Sequence, residues 1–267
     1  MKNKTPISGY IFAVGRIRAL ERFLIKQEAL EEAIESDLGE ALRILVEAGS
    51  YSDGLLRIHD SQDLENILRE ELAKLKTFME NLILDDELIE LVRKDSISEM
   101  QKIVQLKFGG FLEDYIRHAV DMHNIKTFLR LYLLKEKIDK LQNLVLEGGF
   151  VSKETLLKLY QQDLSFFIAR LEYVHKDSGL IDYSIFLKDA IRNLVEKKSF
   201  LMLEKAINDF LMEILKPAKY ISYGPEPLIA YYFAKTNEIN LVRMIILAKL
   251  NDLSKDLVKE RLSEVYA

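Results

Sequence analysis

The chain has 267 residues, 49% of them hydrophobic and 30% charged, with a net charge of −5. That apolar fraction offsets the entropy of ordering, which excludes disorder, and the acidic balance gives no pull toward nucleic acid, whose phosphates need clustered Lys and Arg. The absence of cysteine excludes disulfides and thiolate metal sites.

From the N-terminus, Met1 to Pro6 is basic, but charged residues interrupt the stretch after it, so it does not read as a signal peptide. Apolar residues then recur at helical spacing. In Arg16 to Leu30, Ile17, Leu20, Leu24 and Ile25 share one face, with Arg18, Glu21, Arg22 and Glu28 off it. Leu42, Leu45 and Val46 repeat the pattern until Gly49-Ser50-Tyr51-Ser52-Asp53-Gly54 ends that helix. Asp60 or Ser61 caps the next helix, which carries Leu64, Ile67, Leu68, Leu72 and Leu75 on one stripe.

Gly109-Gly110-Phe111 and Gly148-Gly149-Phe150 are two breaks of the same composition. In the second, the glycines can take the left-handed conformation that stops a helix, and Ser152 caps the following one. Lys216-Pro217 ends a further helix. Gly224-Pro225-Glu226-Pro227 is a stiff turn with Pro227 in the first turn of a helix. That helix is apolar all round from Met244 to Ala248, between Arg243 and Lys249, and Ser254 caps the last helix, Lys255 to Tyr266. Strand-like alternation is scarce, so the expected class is all-α. The longest apolar run, Leu228 to Ala234, is far short of the roughly 20 residues that span a membrane.

An element also repeats. Asp121-Met122-His123-Asn124-Ile125-Lys126 places Asn three residues and a base five residues after an acid. Glu238 to Arg243 matches it in acid and base, and Asp95 to Met100 is a fainter copy with the acid alone. Tyr10-Ile11-Phe12-Ala13 resembles Tyr231-Tyr232-Phe233-Ala234, and Tyr115-Ile116 precedes the middle copy. The simplest physical reading is an acid near each helix start, favoured by the helix dipole, followed by a core stripe.

Catalytic patterns are missing. There is no GxxxxGK[ST], GxGxxG, HExxH or GxSxG. His118 and His123, five apart, fall on different helix faces, where a helical metal pair needs four. Glu28, Glu31, Glu32 and Glu35 read as a solvated face, and Tyr231-Tyr232-Phe233 as core packing. No catalytic, cofactor-binding or metal-ligating residue is therefore assigned. Tyr220-Ile221-Ser222-Tyr223 and the two Gly-Gly-Phe turns are candidates for docking surfaces, with local core packing as the competing explanation.

The stretch Gly224 to Tyr231, Asn237-Glu238-Ile239, Leu241 to Asn251 and Val258 to Leu262 resembles the C-terminal signature of one family: the C subunit of archaeal and bacterial V-type ATPases, whose eukaryotic counterpart is the d subunit (the AC39 family). Tyr10 to Glu21 resembles its N-terminus, and Asp121 to Arg130 with Gly148-Gly149-Phe150 its middle. The departures are Ser98 and Met100 where the family pattern has Asn and Lys, Leu241 in place of Asn, and a chain shorter than is typical.

The resemblance implies three similar helical units in a pseudo-threefold funnel. The corresponding boundaries are 1–108, 109–175 and 176–267, with the N-terminal helix packing against the third unit. It implies a non-catalytic spacer in the central stalk of a rotary ATPase. The wide end would hold the foot of the central shaft, formed by the D and F subunits, and the narrow end would sit on the membrane proteolipid (c/K/L) ring. Such a protein is peripheral, on the cytoplasmic face of the membrane, with no span of its own and no cofactor. Helices starting near Asp95, Asp121 and Glu238 would line the funnel, each acid capping its own helix or pairing with the base of the five-residue spacing (Lys126, Arg243) on a neighbouring helix. Asp121, Asn124, Lys126, Arg130, Glu238, Arg243 and Lys249 are then the candidate interface residues. The alternative is a helical-repeat scaffold unrelated to rotary ATPases, disfavoured by the lack of a period near 34 residues.

Overall fold

A computed structural model describes residues 7–94, 97–107, 110–176 and 179–267. In chain order the elements are α1 (Ile11–Glu21), α2 (Gln27–Glu35), α3 (Leu38–Gly49), α4 (Ser61–Leu82), α5 (Asp86–Arg93), α6 (Ile97–Lys107), α7 (Phe111–Leu133), α8 (Ile138–Leu144), α9 (Lys153–Tyr160), α10 (Leu164–Leu171), β1 (Val174–Lys176), β2 (Gly179–Ile181), α11 (Ser184–Lys197), α12 (Leu201–Leu215), α13 (Glu226–Leu250) and α14 (Lys255–Arg261). Among the described residues the protein is all-α apart from one small antiparallel pair of strands, in which Val174 pairs with Ile181 and Lys176 with Gly179. Short 3-10 turns run from Ile7 to Tyr10, Asp53 to Arg57 and Lys216 to Tyr220.

Several helix ends follow their local chemistry. Asp60 accepts from the Asp63 N–H, Ser152 from Thr155 and Ser254 from Leu257, and Asp37 does the same for Glu40. α12 stops at Leu215, before Pro217, and Pro227 lies in the first turn of α13.

Four sequence-based expectations need correction. The last helix ends at Arg261 and not at Tyr266. The pattern from Arg16 to Leu30 is two helices, because α1 ends at Glu21 and α2 starts at Gln27. The Ile25 N–H in the break is taken by a side chain from α13, so it cannot continue a helical ladder. Asp121 and Glu238 do not start helices: α7 begins ten residues before Asp121 and α13 twelve before Glu238. The second Gly-Gly-Phe does not stop a helix either, since α8 already ends at Leu144 with Val145 extended. Asp95, the acid of the faintest copy, lies outside the described residues.

The chain forms two compact units, residues 1–93 with 212–267 and residues 94–211. Each is built on one long helix buried on several sides. In the first, α13 packs against α1, α2, α3 and α4, burying Leu228, Ile229, Tyr231, Tyr232, Val242, Ile245 and Ile246. In the second, α7 packs against α6, α8 and α9, burying Ile116, Val120, Ile125, Phe128 and Leu129. Phe128 stacks on Phe167 with centroids 4.0 Å apart. Buried apolar side chains of this kind contribute roughly 1.5–3 kcal/mol each, so the central helices hold their units together.

Candidate functional site

In the middle of α7, the Asp121 side chain is fully buried. Its Oδ2 accepts from the Phe150 N–H at 3.0 Å and the Tyr183 hydroxyl at 2.7 Å, and its Oδ1 accepts from the Val151 N–H at 3.0 Å. The carboxylate thus ties the turn before α9 and the start of α11 to the central helix. Burial pushes Asp121 up to about 6, against the opposing effect of these hydrogen bonds. Gly148, at φ 95°, bends the turn so that Gly149 lies flat on the carboxylate. One turn later, Asn124 donates to the Leu146 carbonyl at 2.8 Å and accepts from the Leu146 N–H at 2.9 Å, completing both of that residue's backbone bonds.

The other unit uses the same device. Glu238, in the middle of α13, is 2% exposed. Its Oε2 accepts from the Ile25 N–H at 2.7 Å, just before α2, and its Oε1 accepts from the Tyr51 hydroxyl at 3.0 Å. Lys235, one turn earlier, donates to the same Oε1 at 2.5 Å and to the Gly49 carbonyl at 2.9 Å. In both units, then, an acid in the middle of the central helix holds a backbone N–H that precedes a helix and a tyrosine hydroxyl. Burial and the charge of Glu238 raise the Tyr51 hydroxyl well above its ordinary value. At the Asn124 position of α13 stands Leu241, which is buried and apolar.

The bases of the repeat also match. Lys126 Nζ lies 2.5 Å from Glu204 of α12, and Arg243 Nε lies 2.9 Å from Glu65 of α4. Neither pairs with the acid of its own repeat, since each acid is enclosed by other donors of its unit. Arg130 sits at the surface with its guanidinium 5.4 Å from the centre of the Phe200 ring. Lys249 donates to the carbonyls of Ile34 at 3.0 Å and Ser36 at 2.5 Å, where it neutralises the C-terminal end of α2.

Of the seven candidate interface residues, Asp121, Asn124 and Glu238 are buried and committed to internal bonds. Lys126, Arg130, Arg243 and Lys249 are at least partly exposed. Sequence reasoning does not single out Tyr51 and Tyr183 as partners of the acids, or His118 as a partner of Tyr183, although Tyr51 lies in a break and Gly149 in a turn that the sequence marks. Of the candidate docking loops, Tyr220 is 88% and Tyr223 58% exposed, whereas Phe150 is buried.

Among the described residues, no group of three or more His, Asp or Glu side chains is placed to hold a metal ion. Among the same residues, no helix is long and apolar enough to cross a membrane. A carboxylate saturated by three donors is a structural tie, not a group open to a substrate.

The model of the ATP synthase (C/AC39) subunit family matches residues 82–261, about two thirds of the chain, including both buried acids. The chain is 30% identical over 162 residues to the C subunit of the V-type sodium ATPase of Enterococcus hirae, covering 61% of this chain and 46% of that protein. It is 27% identical over 218 residues to the C subunit of the A-type ATP synthase of Methanobrevibacter smithii, covering 79% and 54%. For the protein of the same name from Methanococcoides burtonii the figures are 26% over 149 residues, 55% and 40%. The chain therefore spans about half the length of the curated relatives it matches. The family match and the resemblance carried by Gly224 to Leu262 agree: the chain belongs to the ATP synthase (C/AC39) subunit family.

Proposed function

We propose that this protein is a central-stalk subunit of a V-type or A-type rotary ATPase. It is a non-catalytic spacer and socket between the central shaft, formed by the D and F subunits, and the proteolipid ring. In this reading it serves ATP-driven or ATP-generating proton or sodium transport and lies on the cytoplasmic face of the membrane as a peripheral protein. Its helical units are arranged as a pseudo-threefold funnel, with approximate boundaries at 108 and 175.

The observation that carries this reading is the family match over 82–261, which takes in both central helices. The internal construction suits the role. A coupler must pass torque without deforming, and close-packed helices tied by buried, fully bonded carboxylates are stiff. Lys126, Arg130, Arg243 and Lys249 supply positive charge to the contact faces, and the exposed Tyr220 and Tyr223 supply aromatic contact area.

Affinity purification of the tagged chain from solubilised membranes of its native cells tests the proposal. The catalytic and proteolipid subunits of a rotary ATPase should come with it in fixed proportion. Recovery of the chain free of them from cells that assemble the enzyme would overturn the reading.

A further inference from the structure

Three titratable side chains meet inside the second unit. His118 and Asp121 lie one turn apart on α7, and Tyr183 immediately precedes α11; their exposures are 2%, 0% and 0%. His118 Nδ1 lies 2.9 Å from the Tyr183 hydroxyl oxygen, which lies 2.7 Å from Asp121 Oδ2. Phe150, Phe210 and Tyr183 surround the imidazole with ring centroids 4.8, 5.3 and 5.8 Å away.

The bonding fixes where the protons are. The N–H groups of Phe150 and Val151 can only donate, so Asp121 accepts at both oxygens. With Asp121 ionised, the Tyr183 O–H donates to Oδ2 and the Tyr183 oxygen accepts from His118 Nδ1–H. A proton on Asp121 reverses the chain. Oδ2–H then donates to the Tyr183 oxygen, the Tyr183 O–H donates to His118 Nδ1, and the imidazole carries its proton on Nε2. The net change is one proton from water, and the imidazole is neutral before and after. No side chain has to leave its place.

We propose that His118, Tyr183 and Asp121 form a reversible hydrogen-bond chain that makes the tether between α7 and the turn at 149–151 responsive to pH. A neutral carboxyl group accepts hydrogen bonds about half as strongly as a carboxylate. Proton uptake therefore loosens the hold on Phe150 and Val151 while the chain stays intact. The charges facing the cluster among the described residues are Arg117 and Asp114 of α7 and Lys176 of β1. Arg117 lies over the Phe150 ring at 4.1 Å, and Lys176 is paired with Asp114 at 2.5 Å. α11 and α12 bring Tyr183 and Phe210 to it. Burial pushes the His118 imidazole down to about 4 and the Asp121 carboxyl up to about 6, so the carboxyl titrates first as pH falls.

The test is NMR of the full chain labelled with 15N at histidine and 13C at aspartate. Between pH 7.5 and 4.5, His118 should switch from Nδ1–H to Nε2–H without becoming charged, at the same midpoint as the Asp121 carboxyl carbon. In Tyr183→Phe the two should separate, with the tautomer no longer following the carboxyl. A single His118 tautomer across the whole range, or a switch whose midpoint differs from that of Asp121 in the unaltered protein, would overturn the proposal even if the variant failed to fold. A switch that persists unchanged in folded Tyr183→Phe would overturn it too.

Discussion

Asp121 leaves no room for a side chain at residue 149: a Cβ on Gly149 would lie 2.1 Å from its Oδ1. Gly149 does not have a positive φ, so alanine meets the carboxylate and not a forbidden backbone. Gly149→Ala should destabilise the second unit by about 1–3 kcal/mol through this clash, read as a lower midpoint in urea with an unchanged slope. An alanine variant as stable as the parent would mean the carboxylate is not held where it is described.

Glu238 and Tyr51 give the matching prediction in the first unit. Tyr51→Phe removes one donor and keeps the ring, so it should cost about 1 kcal/mol. Glu238→Gln should cost more, about 1–3 kcal/mol, because it turns an amide toward the Ile25 N–H and leaves the half-buried Lys235 ammonium without its counter-charge. Equilibrium unfolding of the two variants checks the order; a costlier Tyr51→Phe contradicts it.

Stability should carry the titration of Asp121. Its folded value is raised from 3.8 to about 6. The stability linked to its protonation is therefore fully present below pH 3.8 and is lost as pH rises through about 6, on the order of 3 kcal/mol in all. An asparagine in its place, neutral at every pH, cannot show this, so the difference between the parent and Asp121→Asn should shift against the parent between about pH 4 and pH 7. The exposed Glu35 works in the opposite sense. Its hydrogen bond to Lys259 lowers its value, so its contribution is present above pH 4.5 and is lost as pH falls through that lower value. A pH-independent difference between parent and Asp121→Asn would contradict the placement of Asp121.

Lys126 and Arg243 separate internal pairing from contact with a partner. Exposed ion pairs contribute about 0–1 kcal/mol, so Lys126→Glu and Arg243→Glu should fold and yet weaken assembly with the rotary ATPase. Lys126→Glu combined with Glu204→Lys restores the internal pair while leaving the local charge pattern altered. If that double variant assembles normally and the single one does not, the charge serves the fold alone.

The helical class, the caps at Ser152 and Ser254, the stop before Pro217 and the start at Pro227 were legible because each depends on residues within one turn of it. The acid-to-base spacing was legible too, but its meaning was not. A carboxylate near apolar residues reads locally as a helix start. Only a backbone N–H 29 residues away, at Phe150, or 213 residues away, at Ile25, makes it a buried tie. The break between α1 and α2 was hidden for the same reason, because the carboxylate that accepts from its Ile25 N–H lies 213 residues further along the chain. The pair of strands β1 and β2 was missed because three-residue strands are too short to show alternation.

Binding of the purified chain to the separately purified D–F shaft, followed by size-exclusion chromatography with mass determination, tests the central claim most directly. A stoichiometric complex that weakens in Lys126→Glu or Arg243→Glu is the predicted result. Separate elution of a folded chain and an intact shaft at micromolar concentrations of both would contradict it.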